Sequence, residues 1–178
     1  GALLRLTISR QLGTAELGIY FLAAKLAFLP NEIASEVVGA VSFPVYARVQ
    51  SNISQATRTF RAIFTSMFLV LTPVFTLIFV LVPSIVKYVL GSQWEGAELL
   101  IRLLALVGLF GLVPDAAVPA LKGLGQPHKY AMLEGGQSCF LVIFAWIFIN
   151  HFGLIGAGYA WGAVIAPTLL FSISFLRQ

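Results

Sequence analysis

A stretch of 25 residues, 62–86, contains no Asp, Glu, Lys or Arg. Because an α-helix rises about 1.5 Å per residue, a helix over this stretch would be roughly 37 Å long, which exceeds the ~30 Å hydrocarbon core of a bilayer. A second uncharged stretch, 135–176, has 42 residues and is interrupted only by a polar, turn-like segment at 150–153. It has room for two spans and a tight turn. The sequence therefore predicts a multi-pass membrane protein.

The composition excludes an ordinary soluble domain. Hydrophobic residues make up 59% of the chain and charged residues 10%, whereas about a quarter of the residues of a soluble domain are charged. The net charge of +4 is scattered over the loops without a polybasic block, so we expect no nucleic-acid partner. The sequence contains no phosphate-binding loop, nucleophile elbow or zinc-ligand spacing. We therefore expect no enzymatic activity, no cofactor and no metal.

The apolar stretches predict five complete helical spans after a truncated first one. The truncated helix covers residues 1–10 and ends at a Gly13-Thr14 turn, and the complete spans cover residues 17–46, 62–90, 99–121, 130–149 and 154–176. Short linkers make consecutive helices antiparallel. The predicted fold class is all-α, a polytopic transmembrane helix bundle in which residues 1–178 form one domain. Because the chain has no initiator Met and opens inside an apolar pattern, we expect it to be part of a longer protein.

The distribution of basic residues predicts the orientation of the bundle. The segments after the predicted spans 17–46 and 99–121 carry several basic residues, namely Arg48, Arg58 and Arg61, then Lys122 and Lys129. The turn at 150–153 carries no Lys or Arg. Because cytoplasmic loops are enriched in these two residue types, we expect the two basic segments to face the cytoplasm.

Three charged residues, Lys25, Glu32 and Glu36, lie on one face of the first complete span. A charge at mid-membrane costs roughly 2.5–3.5 kcal/mol, so this face is expected to meet a partner helix or a water-filled cavity. Lys25 and Glu32 are two turns apart, too far for an easy direct pair, and Glu32 and Glu36 are like charges one turn apart. We therefore expect partners on other helices or a translocation path. Ion pairs that only hold the bundle together are the alternative.

Asp115 is a further charged residue inside a predicted span, and it lies close to the face that carries Gly108 and Gly111. It is a candidate cross-bundle partner of Lys25 or a protonatable group. A purely structural ion pair is again the alternative.

Two stretches carry a family resemblance. They are Leu17-Gly-Ile-Tyr-Phe-Leu-Ala-Ala-Lys-Leu-Ala-Phe-Leu-Pro30, continuing to Val41-Ser-Phe-Pro-Val-Tyr-Ala-Arg48, and Leu99-Leu-Ile-Arg-Leu-Leu-Ala-Leu106, continuing to Ala120-Leu-Lys-Gly-Leu-Gly-Gln-Pro-His-Lys129. Both resemble the multidrug/oligosaccharidyl-lipid/polysaccharide exporters, and within that superfamily the bacterial O-antigen, colanic-acid and exopolysaccharide flippases.

The resemblance implies a transporter of about 12–14 helices in two lobes around a cavity, driven by an ion gradient or the membrane potential. This chain would be most of the second lobe, and its partners would be the missing N-terminal lobe, the lipid bilayer and a lipid-linked oligosaccharide. The implied activity is flipping of an undecaprenyl-diphosphate-linked oligosaccharide across the bacterial cytoplasmic (inner) membrane. The implied contacts for the anionic diphosphate are Lys25 and Arg102.

The three carboxylates keep other interpretations open, because Glu32, Glu36 and Asp115 would repel a diphosphate unless they are protonated or paired. They are candidates for binding the coupling ion or for lining the cavity. The same carboxylates would suit a drug/cation antiporter, and a peptidoglycan-precursor flippase has the same architecture. A non-transporting membrane scaffold subunit, whose buried charges are only structural, is the remaining alternative.

Overall fold

The computed structural model describes residues 2–49, 52–125 and 127–176, without the side chains of residues 2, 53, 92, 127, 133 and 169–176. Its α-helices are α1 Ala2–Leu12, α2 Thr14–Arg48, α3 Ile53–Ile85, α4 Glu98–Gly123, α5 Pro127–Phe152 and α6 Ile155–Leu176. A π-helical turn, Val86–Leu90, extends α3, and a 3₁₀ segment, Ser92–Ala97, leads into α4. No β-strand occurs in the described ranges. The predicted all-α fold class is confirmed.

Four helical segments are long and apolar enough to cross a bilayer, namely Thr14–Arg48, Ser54–Leu90, Gln93–Gly123 and His128–Phe152. The predicted number of five complete spans is therefore wrong by one for the part of the chain that the structure describes. The remaining predicted span, 154–176, corresponds to α6, Ile155–Leu176, and its residues after Thr168 lie outside the residues whose side chains the structure describes.

The helix boundaries follow local turn and capping chemistry. α3 starts earlier than the uncharged stretch predicts, because Asn52 caps it: the Asn52 side-chain oxygen accepts a hydrogen bond from the Gln55 backbone N–H at 3.0 Å. Gly13 separates α1 from α2 and Gly153 lies between α5 and α6, with φ of 93° and 60°. Glycine adopts such positive φ values without steric cost. The predicted break at Gly13 is confirmed, whereas the turn predicted at 150–153 lies at 153–154, because residues 150–152 continue α5.

α4 is the central helix of the bundle. It packs against α2, α3, α5 and α6, and 14 of its 26 residues are buried. A helix that is apolar on all sides is buried by its neighbours rather than presented to solvent on one face. Because Asp115 lies on this helix, the fold places that carboxylate inside the bundle.

The most extensive helix–helix contact joins α2 and α4. Gly108 lies against Asn31, and fifteen residues further along both helices Gly123 lies against Tyr46. Because the contacts move by the same number of residues, and in the same sense, along both helices, α2 and α4 run parallel to each other. α3, which follows α2 and precedes α4 in the chain, therefore runs antiparallel to both.

One hydrogen bond ties α6 to α2, and its loss should be measurable. The Trp161 indole N–H donates to the Tyr20 hydroxyl at 3.1 Å. We expect Trp161→Phe to lower the free energy of unfolding by about 1 kcal/mol, because the hydrogen bond is lost while an aromatic ring is retained. SDS-induced unfolding in detergent micelles would measure the change. The control is Tyr159→Phe, which removes an exposed hydroxyl and should change the free energy of unfolding by less than about 0.5 kcal/mol. Equal effects of the two variants would contradict the prediction.

Candidate functional site

A buried polar pair joins α2 to α4. The Asn31 side-chain amide donates one hydrogen bond to the Gly108 carbonyl oxygen at 3.1 Å and another to Asp115 Oδ2 at 2.8 Å. Asn31 is only 9% exposed, and its Oδ1 atom has no hydrogen-bond partner among the described residues. With both N–H donors engaged, Oδ1 is left as a free acceptor for a proton donor or a cation.

Glycines on α4 make this pair possible. A Cβ atom at Gly108 would lie 2.9 Å from Asn31 Oδ1 and 2.7 Å from Cε1 of the Phe75 ring on α3. A Cβ atom at Gly111, on the next turn, would lie 3.8 Å from Asn31 Nδ2. Small residues at a helix interface let the backbones approach closely. The Asn31 amide therefore reaches the α4 backbone. The glycines that the sequence places near the Asp115 face thus leave the space that the Asn31 side chain occupies.

Asp115 lies at the boundary of two cavities. It shares one cavity, of about 290 Å³, with Asn31 and with three polar side chains of α5, namely Tyr130, Glu134 and Gln137. A second cavity, of about 400 Å³, is lined by Asp115 and by Lys122, near the C-terminal end of α4. The lining of the first cavity is acidic, whereas the lining of the second also includes the cationic side chain of Lys122. The Asp115 carboxylate therefore faces two different electrostatic environments.

A second polar pair lies on the exposed face of α2. Lys25 Nζ forms an ion pair with the Glu32 carboxylate, and the two side chains are 64% and 53% exposed. The expectation that two helical turns separate these residues too far is therefore wrong. Side chains of a helix lean toward its N-terminus, so Glu32 reaches back while the long Lys25 side chain extends forward to meet it.

The structure does not bring the other candidates to these pairs. Glu36 is exposed on α2 and forms no ion pair within the described ranges. Arg102 pairs with Glu98, one turn earlier on α4, at 3.2 Å, and its guanidinium lies 5.8 Å from the centre of the Phe79 ring. Asp115 is bound by Asn31, so the proposed cross-bundle pair with Lys25 is not formed.

The sequence analysis missed the three polar residues that α5 contributes to the acidic cavity, namely Tyr130, Glu134 and Gln137. Glu134 and Tyr130 lie one helical turn apart on α5, and both line the cavity beside Asp115. The available signal was a carboxylate inside the span predicted at 130–149, four residues after a tyrosine. That spacing places both side chains on one helix face. In the part of the chain that the structure describes, no three His, Cys, Asp or Glu side chains gather in a metal-binding group.

Comparison with known proteins gives consistent matches. A family model described as polysaccharide biosynthesis protein matches residues 2–98, more than half of the chain. The chain is 27% identical over 157 residues to the succinoglycan biosynthesis transport protein ExoT of Rhizobium meliloti (strain 1021), covering 88% of this chain and 29% of that protein. It is 26% identical over 154 residues to the teichuronic acid biosynthesis protein TuaB of Bacillus subtilis (strain 168), covering 79% and 32%. The chain thus spans about a third of the length of these relatives. No solved structure matches it.

Proposed function

The chain belongs to the polysaccharide biosynthesis protein family, and on that premise we propose that it forms part of a flippase for lipid-linked oligosaccharide. The substrate would be an undecaprenyl-diphosphate-linked glycan, moved across the bacterial cytoplasmic (inner) membrane during surface polysaccharide biosynthesis. Two observations support the proposal. Four helical segments can cross a membrane, and the relatives are named for polysaccharide biosynthesis, one of them also for transport. Because the relatives are about three times longer, a further lobe would complete the cavity.

The observation that carries the proposal is an exposed cation inside a membrane-spanning helix. Lys25 lies 11 residues after the start of α2, roughly 16 Å along the helix axis. Contact with lipid at that depth would cost roughly 2.5–3.5 kcal/mol. The exposed face around Lys25 is therefore suited to a water-filled cavity that admits an anion. In the proposal the ammonium group contacts the diphosphate, and the chain moves the substrate without catalysing a reaction.

The buried pair supports ion coupling. Within the described residues Asp115 accepts a hydrogen bond from Asn31, and the adjacent Asn31 Oδ1 atom has no hydrogen-bond partner there. A carboxylate beside a free carbonyl oxygen offers ligands for a proton or a small cation. In the proposal Asp115 takes up the coupling ion, and movement of this ion shifts α2 against α4. Intramembrane carboxylates are typical of such relays.

One observation favours a second candidate function, a drug/cation antiporter of the same superfamily. The cavity of about 290 Å³ is lined by Asp115 and Glu134, and no Lys or Arg is among its described lining residues. Such a cavity suits a cationic ligand better than a diphosphate. We favour the polysaccharide substrate because Lys25 lies on a different, exposed face of α2, within the part of the chain that the family model covers.

The test is Lys25→Ala in the full-length protein, with membrane expression matched to the wild type. We expect surface polysaccharide to fall by about tenfold or more, because a charge-assisted contact to the diphosphate is worth roughly 1.5–3 kcal/mol. Lipid-linked intermediates should accumulate in the inner leaflet. Lys25→Arg keeps the charge and should retain part of the export. The control is Lys87→Ala, which removes an exposed cation beside the Tyr88 ring and should leave export unchanged.

Each other outcome argues against part of the proposal. Unchanged export with Lys25→Ala would remove Lys25 from the substrate path. Unchanged export after deletion of the whole protein would overturn the flippase function and leave a scaffold role. Loss of resistance to cationic drugs, with export intact, would favour the antiporter. Accumulation of peptidoglycan precursors would favour the precursor flippase.

A further inference from the structure

We propose that Glu32 is an internal competitor for the anionic headgroup at Lys25, occupying the ammonium whenever no substrate is bound. This inference rests on the proposed function, because it takes Lys25 as the contact for the diphosphate. It assigns a role to the carboxylate that is otherwise hardest to reconcile with an anionic substrate. In this scheme Glu32 does not touch the substrate; it acts through Lys25 and limits how tightly the anion is held.

The geometry that supports the proposal is an ion pair closed within one helix. Lys25 Nζ contacts Glu32, both side chains are more than half exposed, and no second carboxylate pairs with Lys25 within the described ranges. The pair bridges two helical turns with Pro30 between them. Proline cannot donate a backbone hydrogen bond, so the chain lacks one such bond in the segment that the side chains span.

An incoming anion must exchange with the carboxylate. Lys25 carries a single positive charge, so a diphosphate oxygen and the Glu32 carboxylate compete for the same ammonium. The carboxylate is tethered seven residues away on the same helix, which gives it a high effective concentration that does not depend on the ligand. The exchange therefore weakens anion binding by a constant factor. It also leaves Lys25 neutralised by Glu32 once the anion has departed.

This competition serves release of the substrate. A transporter that binds its substrate too tightly is limited by release, since alternating access requires the substrate to leave on the far side. Without bound substrate, an unpaired Lys25 ammonium would also raise the free energy of the return step of the transport cycle, because a desolvated charge in the membrane is costly. Re-formation of the Lys25–Glu32 pair removes both obstacles. Glu32 is then a positioning residue whose loss should tighten binding and slow transport together.

The binding test uses farnesyl diphosphate with the purified full-length protein in detergent micelles. We expect Glu32→Gln to lower the Kd about fivefold, which corresponds to ~1 kcal/mol, the upper end for an exposed ion pair. Glu36→Gln removes a carboxylate of the same helix that forms no ion pair within the described residues, and it should change the Kd by less than about twofold. Adding Glu32→Gln to Lys25→Ala should give no gain, because the two residues act as one unit.

The transport test separates this role from a structural one. Glu32→Gln should reduce the amount of surface polysaccharide although it binds the diphosphate more tightly. A variant that only loses its fold would instead show both weaker binding and less surface polysaccharide. An unchanged Kd for Glu32→Gln, with binding lost in Lys25→Ala, would overturn the competitor role and leave the proposed function intact. Equal tightening by Glu36→Gln would overturn it too, since the effect would come from net charge. An unchanged Kd in Lys25→Ala would overturn the premise that Lys25 contacts the diphosphate, and with it the competitor role of Glu32. The flippase function would still be decided separately, by the effect of deleting the whole protein on export.

Discussion

Replacing Gly123 by Ala is expected to lower the free energy of unfolding by about 3 kcal/mol. A Cβ atom at this position would lie 2.5 Å from Tyr46 Cβ and 3.1 Å from the Phe43 carbonyl oxygen. Tyr46 is fully buried and the carbonyl is part of the α2 backbone, so neither group can move aside alone. The added methyl group must push α2 away from α4, and the largest helix–helix contact of the bundle would loosen.

The measurement is SDS-induced unfolding in detergent micelles, followed by tryptophan fluorescence. The matched control is Gly39→Ala on α2, where a Cβ atom would meet no atom within 4 Å. Because alanine is the better helix former, Gly39→Ala should instead raise the free energy of unfolding by roughly 0.5–1 kcal/mol. If both variants shifted stability in the same direction and by similar amounts, the close α2–α4 contact would not exist in the membrane protein.

Replacing Asn31 by Ala should have the second-largest effect, about 2 kcal/mol of lost stability. The substitution removes the hydrogen bonds to the Gly108 carbonyl and to Asp115. It also leaves the Asp115 carboxylate, which lies within the bundle, without the donor that satisfies Oδ2. An unsatisfied buried acceptor costs more than the net value of the hydrogen bond that it replaces.

A double-mutant cycle isolates the pair. Asn31→Ala and Asp115→Ala should show a coupling energy of about 1 kcal/mol, within the range found for side-chain hydrogen bonds between membrane helices. Asn150→Ala, at an exposed residue near the end of α5, serves as the control and should change stability by less than about 0.5 kcal/mol. A coupling energy of zero would mean that Asn31 and Asp115 are not bonded, and the ion-coupling proposal would lose its support.

The fold class was predictable because the forces that produce membrane helices are local. An uncharged stretch such as 62–86 must form a helix in lipid, where every backbone polar group needs a partner within the segment. Turn positions such as Gly13 and Gly153 were also predictable, since their backbone conformation favours glycine. Helix ends were less so: α3 begins at Ile53 because one side chain, Asn52, caps it.

The presence of charged side chains inside spans was equally a property of the sequence, and Lys25, Glu32, Glu36 and Asp115 stood out for that reason. Their partners were not predictable. The sequence favoured cross-helix partners for Lys25, whereas the structure pairs it with Glu32 on its own helix. Their roles in binding or coupling stay predictions until the substitutions are made.

The sequence alone therefore determined that this chain forms apolar helices, where most of them turn, and which charged residues the membrane cannot easily accept. Only the tertiary structure decided that α2 and α4 pack in parallel, that Asn31 binds Asp115, and that the face with Lys25 stays exposed. The reason is physical. Helix formation depends on neighbours within a few residues, whereas pairing depends on how two helices rotate and approach, and here Gly108 and Gly123 set that approach across 77 residues of chain.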